Sequence, residues 1–181
     1  MNVTACLGLC VEPAHIKSLT YQLLTIAESR KSILFDNPCE ASRKAVEENE
    51  IKTVSYLVTS LAIYTRLWFD AFSGDVNGEI PNPKVCKRID KSGKHNLRQT
   101  CSFIAHGSGM YFMPCDDQCS GNDLIFLVPK GDHNNAERVY CLDIRKFCCA
   151  INEVVDFCPE CGGEQYSIAI NEDGTPIYQQ S

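Results

Sequence analysis

No run of apolar residues in this chain reaches the roughly 18 that a helix needs to cross a bilayer. The nearest approach, Val54 to Phe72, is interrupted by Ser, Thr, Tyr and Arg, so no membrane span is expected. The N-terminus has no basic region and no small-residue cleavage site behind an apolar stretch, which speaks for a cytoplasmic protein. Positive charge is short overall: 17 Lys and Arg against 23 Asp and Glu give a net charge of −6. That argues against a broad nucleic-acid-binding surface, since such surfaces are usually basic. Internal repeats and low-complexity tracts are missing. So are a glycine-rich phosphate loop opening a helix, a nucleophile elbow and a metal-binding pair of histidines.

What is present fits an ordered globular chain of one domain with room for a small appendage, at 181 residues with 44% hydrophobic and 22% charged residues. Cysteine is plentiful, and the even count of 12 raises a disulfide framework. The lack of a leader, the long helical patterns and a composition that can build a core without staples favour reduced thiols, some of them metal-bound. Cys101 and Cys148 fall on apolar helix faces, where a thiol behaves as a small hydrophobe.

Periodicity supplies the framework. Ile16, Leu19, Leu23, Ile26 and Ile33 recur at three or four residues, with one gap at Arg30, and predict a helix over Pro13 to Phe35 that ends at Asp36-Asn37-Pro38. A longer pattern from about Ala41 to Phe72 is charged in its first half and apolar on more than one face in its second, which places the second half in the core. The two helices are expected to pack antiparallel. After a Gly, Asn and Pro-rich connection to Pro83, a third helix begins at about Val85 or at Asn96 and ends near Gly107. Leu124 to Val128 and Arg138 to Leu142 read as paired strands, and Asp143 as the N-cap of a helix bearing Phe147, Cys148, Ile151, Val154 and Val155. Tyr166 to Ile170 and Thr175 to Tyr178 read as a last hairpin. The expected fold is mainly α with small β: an antiparallel helical bundle, β-hairpins and a C-terminal zinc-knuckle-like appendage.

Charge is unevenly placed. Lys84, Lys87, Arg88, Lys91, Lys94 and Arg98 face only Asp90, a local net of +5 that leaves −11 for the remaining chain. This segment is either a solvated loop or an anion-attracting patch, and Lys84, Lys87, Arg88, Lys91 and Lys94 are candidate substrate-binding residues. It leads into Leu97-Arg98-Gln99-Thr100-Cys101-Ser102-Phe103-Ile104-Ala105-His106-Gly107, which sets a phosphate-binding cation near a residue able to move protons around neutral pH.

After two long helices, this Arg-to-His stretch resembles the signature of the HEPN superfamily of helical, often dimeric domains, many of them metal-independent ribonucleases of toxin–antitoxin and antiviral systems. The resemblance implies an endoribonuclease of a toxin or defence system, with RNA as substrate, a homodimer and an antitoxin-like partner. It would make Arg98 and His106 catalytic. His106 would exchange the proton of an attacking ribose 2′-hydroxyl, and Arg98 would stabilise charge on the phosphate oxygens. Seven residues separate the two, more than is common in the family, and Gln99 stands where its ribonucleases more often have Asn, Asp or His. On a regular helix this separation turns the two side chains about 80° apart and lifts them about 12 Å. The alternative is a non-catalytic binding or interaction protein of the same fold, stiffened by zinc, with Arg98 paired to a carboxylate on the long helix.

Cys158-Pro159-Glu160-Cys161-Gly162-Gly163 before a predicted hairpin has the form of a zinc knuckle, in which glycines permit the tight turn around two thiolates. The best second pair is Cys115 and Cys119. Four thiolates would bind structural Zn²⁺ and leave no open position for water. A redox dithiol at Cys158 and Cys161 and unliganded thiols are the competing readings; Cys6 and Cys10 form a further spaced pair in apolar surroundings. Residues 1–156 then read as a HEPN-like helical domain with an inserted hairpin at about 124–142, and 157–181 as a knuckle and hairpin packed on it.

Overall fold

The computed structural model describes residues 13–36, 39–72, 80–89, 92–112, 123–129 and 137–156, together with the two short strands at 169–170 and 176–177. Helix α1 spans Pro13–Asp36 and α2 spans Glu40–Phe72. Pro13 occupies the first helical position, where its missing N–H is no loss. Ile16, Leu19, Leu23 and Ala27 line the buried stripe of α1, and Val54, Leu57, Val58, Leu61, Ala62, Trp68 and Phe69 the buried second half of α2. The pair is antiparallel: the His15 ring meets Tyr64 edge-on near one end, and Arg30 reaches Glu47 near the other. The gap in the apolar spacing of α1 at Arg30 is a buried position all the same.

Strands β1 (Lys84–Arg88) and β2 (Lys94–Asn96) form a hairpin, and helix α3 (Leu97–Ala105) follows without a break. Strands β3 (Gly109–Phe112), β4 (Asp123–Pro129) and β5 (Glu137–Asp143) come next, then helix α4 (Ile144–Asp156). The five strands make one antiparallel sheet in the order β2-β1-β5-β4-β3. The fold is thus mainly α with some β, but its β part is a layer rather than an insertion. The expected 124–142 hairpin, β4 with β5, is the middle of that layer.

Burial alternates along β4 as a half-covered antiparallel sheet requires, whereas Tyr140, Cys141 and Leu142 of β5 are all buried. Leu124, Phe126 and Val128 of β4 and Tyr140 and Leu142 of β5 are buried with Leu97, Cys101 and Ile104 of α3 and Ile144, Phe147, Cys148 and Ile151 of α4 in one core. Phe126 and Phe103 stack on Tyr140 at 5.2 and 4.8 Å between ring centroids. Helix α4 runs antiparallel to α1, fixed by the Lys17–Asp156 and Glu28–Arg145 ion pairs and by Thr20 donating to Asn152 Oδ1 at 3.0 Å. A last pair of strands, β6 (Ala169–Ile170) and β7 (Pro176–Ile177), is antiparallel, as the closing hairpin motif predicts. No helix among the described residues is long and apolar enough to cross a membrane.

Candidate nucleic-acid interface

The basic segment folds as an edge hairpin, not as the start of a helix. Helix α3 begins only at Leu97, because Asn96 closes a reciprocal capping box with Gln99: Asn96 Oδ1 accepts the Gln99 N–H at 2.9 Å, and Gln99 Oε1 accepts the Asn96 N–H at 3.4 Å. Asn82 Oδ1 accepts the Arg98 N–H at 3.0 Å, and the Leu97 N–H donates to Pro83 O at 2.8 Å. The residue after the Arg is therefore spent on the helix cap.

Upstream, β1 pairs with β2 through a register shift: Lys84 lies opposite Asn96, but Cys86 lies opposite His95 and Lys87 opposite Lys94. One extra residue on β1 is a β-bulge, which re-aims the side chains on either side of it. Lys84 and Lys87 are three apart, so on a regular strand they would point to opposite faces. With the bulge, both line one open cleft of about 250 Å³, together with Lys94 from β2 and Lys146 from α4. Lys84, Lys87 and Lys94 make no ion pair among the described residues, and all three are exposed. Lys87 and Lys94 are also directly opposed, an arrangement that repels and that an anion between them would relieve.

The other wall of the cleft is acidic, with one of its two carboxylates paired to Lys146. Asp123 and Asp143 are opposed across β4 and β5, and Lys146 Nζ sits 3.0 Å from Asp143 Oδ2. The hydrogen bond to Asp143, then the charges of Asp143 and Asp123, hold the Lys146 ammonium above its ordinary range. Asp143 also caps α4, accepting the Lys146 N–H at 3.0 Å. Burial alone would raise its carboxyl, but the hydrogen bonds and charge of Lys146 and the Arg145 N–H hold it below the usual range.

Of the expected substrate-binding residues, Lys84, Lys87 and Lys94 come together. Arg88 is in register with Tyr140, whose side chain belongs to the core face, and Lys91 lies outside the described residues. Arg98 and His106 do not meet within the chain. They sit at opposite ends of α3, about 12 Å apart along its axis, and neither lines the cleft. Arg98 Nη2 is 2.9 Å from Asp70 Oδ1 on α2, the pairing with a carboxylate of the long helix. His106 is the exposed C-cap, its N–H donating to Phe103 O at 3.2 Å. Gly107 is needed where the chain leaves the helix, because a Cβ there would sit 3.2 Å from both Ile104 O and Leu127 O.

No protein-family model, no curated protein and no solved structure matches the chain. Chemistry must therefore be read from the residues. Cys115, Cys119, Cys158 and Cys161 lie outside the described residues, and among the described residues no group of three or more His, Cys, Asp or Glu side chains is placed to hold a metal. The cleft residues that sequence reasoning passed over are Lys146, Asp123, Asp143 as a wall and Cys141. The only signal for them was the strand-to-helix junction at Asp143.

Proposed function

We propose that the protein binds RNA through the cleft of Lys84, Lys87, Lys94 and Lys146, and that one chain alone does not cleave it. The observation that carries this reading is the convergence on one cleft, by way of the β1 bulge, of three lysines without an ion pair among the described residues, while Arg98 is engaged by Asp70 and lies a helix length from His106. The HEPN-like stretch then serves as the capped, buried helix that anchors the hairpin. The test is binding of a labelled RNA by wild type and by the Lys87→Gln/Lys94→Gln variant over a salt series. Each lost phosphate contact lowers the slope of log K against log salt by about 0.7 for a single strand. Unchanged affinity and slope in the double variant would overturn the proposal.

A second reading keeps a metal-independent ribonuclease and places its centre between two copies, Arg98 of one beside His106 of the other. It is favoured by the exposure of both side chains. Cleavage that vanishes in His106→Ala and persists in chelator would establish it. A four-thiolate zinc site of Cys115, Cys119, Cys158 and Cys161 rests on spacing, and less than about half an equivalent of zinc per chain after purification would count against it.

A further inference from the structure

The cleft opens onto a second feature, the sheet face turned away from the helices. One cross-strand row traverses all five strands there: Lys94 on β2, Lys87 on β1, Cys141 on β5, Ile125 on β4 and Tyr111 on β3. At about 4.8 Å between strands the row is about 19 Å long. Its two lysines belong to the cleft, Cys141 at its centre is buried, Ile125 is partly exposed, and Tyr111 ends it with 56% of its surface open. Beside it, Val139 and Leu127 are opposed on β5 and β4 and partly exposed.

Tyr111 lies beside the residue two before it. Gly109 shares its face of β3, and a Cβ built there would come within 3.2 Å of both Cε2 and Oη of the Tyr111 ring. The far end of the ring thus lies beside the Gly109 backbone while more than half of the residue is open to solvent. An aromatic ring exposed this way is a stacking platform, and unpaired bases are recognised on such platforms while lysines hold the backbone. Duplex RNA presents no free base faces and gains nothing from the ring.

Resting on the RNA-binding reading above, we infer that the ligand is single-stranded RNA laid across the outer face of the sheet, its phosphates at Lys87 and Lys94 and a base stacked on Tyr111. The occupant is argued from the row itself, in which a cleft with more lysines than carboxylates at one end and an exposed aromatic residue at the other lie along one cross-strand line. Two or three splayed bases fit its length, as on other antiparallel sheets that read single strands.

The experiment compares a single-stranded RNA of about ten nucleotides, within the usual site size, with the same sequence in duplex form. It uses the full chain and reads fluorescence anisotropy, with a thermal melt of each variant as the folding check. Tyr111→Ala weakens single-strand binding about tenfold and Tyr111→Phe retains it. Neither changes the salt slope, whereas Lys87→Gln/Lys94→Gln lowers it by about 1.4. If Tyr111→Ala binds the single strand as wild type does while the lysine variant is weakened, the sheet path is overturned and the cleft stands. Duplex bound as tightly as single strand likewise overturns the path. Absence of any nucleic-acid binding by folded wild type removes both proposals.

Discussion

Arg98 and Asp70 are joined across the packing of α3 on α2, Nη2 of the first lying 2.9 Å from Oδ1 of the second. Arg66 Nε approaches the other oxygen of the same carboxylate at 3.8 Å. The side chains are close to half exposed, at 47% for Arg98 and Asp70 and 44% for Arg66, so water screens the cluster and the pair contributes on the order of 0.2–1 kcal/mol. Arg98→Ala is therefore expected to lower unfolding free energy by less than about 1 kcal/mol in urea titration. RNA affinity should stay within about twofold of wild type, because Arg98 is not in the cleft. A tenfold loss, equivalent to 1.4 kcal/mol, would put Arg98 back into the RNA interface.

At Asp143 one carboxylate serves a helix and a cleft wall together. Its folded-state pKa lies below the unfolded value of about 3.9. It therefore contributes stability that is present above the unfolded value and is lost as pH falls through the folded one. Asp143→Ala is expected to cost about 1 kcal/mol at neutral pH, through loss of the cap to Lys146. Asp143→Asn keeps a capping oxygen and costs less. Urea midpoints from pH 7 down to pH 2 would test this: the gap between wild type and Asp143→Asn should close in the acid range. A gap that stays constant with pH would show that the charge of Asp143 plays no part.

The helices were legible in the sequence because their apolar spacing is set by the core they face. Pro13, Asp143 and Gly107 marked ends for reasons that are local to the chain. Strands β1, β2 and β3 were not legible. Lys94-His95-Asn96 has little strand propensity of its own, and its pairing with β1 is decided by the capping box at Asn96 and by Cys86 and His95 turning inward. The candidate site was half visible: the lysines stood out as a charge run, but their convergence depends on a bulge that alternation rules cannot foresee. Tyr111 gave no signal, since its importance comes from four strands brought alongside by the fold.

The thiols divide by environment. Burial pushes Cys86 up to about 11 against the pull of the Thr100 hydroxyl, and Cys148 up to about 12. Cys101, fully buried on α3, is raised further by the same cause. Thiolate is the reacting form, so these three should resist alkylation at pH 8 in the native protein and react only after denaturation. Cys149, exposed beside Cys148, should react at once. Mass mapping of labelled peptides over a time course would check the order. Labelling of Cys101 as fast as Cys149 would show that the α2–α3 interface opens readily.

Arg30 is the most consequential charge in the core. It is 3% exposed, lies 3.2 Å from Glu47 Oε1 and 3.6 Å from Glu50 Oε2, and sets its guanidinium 3.4 Å from the centroid of the Phe112 ring. It thereby ties α1 to α2 and to β3. Burial raises the Glu50 carboxyl, and the opposing attraction of Arg30 does not cancel it. An acid raised in this way costs stability when ionised, and the cost disappears below its unfolded value of about 4.3. Arg30→Met fills the space but leaves Glu50 without its cation, so we expect a loss of about 3 kcal/mol at pH 7. The deficit should shrink as pH falls toward 5, because Glu50, now raised further, takes up a proton and becomes neutral. Adding Glu50→Gln to Arg30→Met should restore part of the stability at pH 7 and flatten the pH dependence. Urea midpoints for both variants at pH 7 and 5 decide the matter: a deficit equal at the two pH values would mean that Arg30 acts by packing on Phe112 and not through its charge.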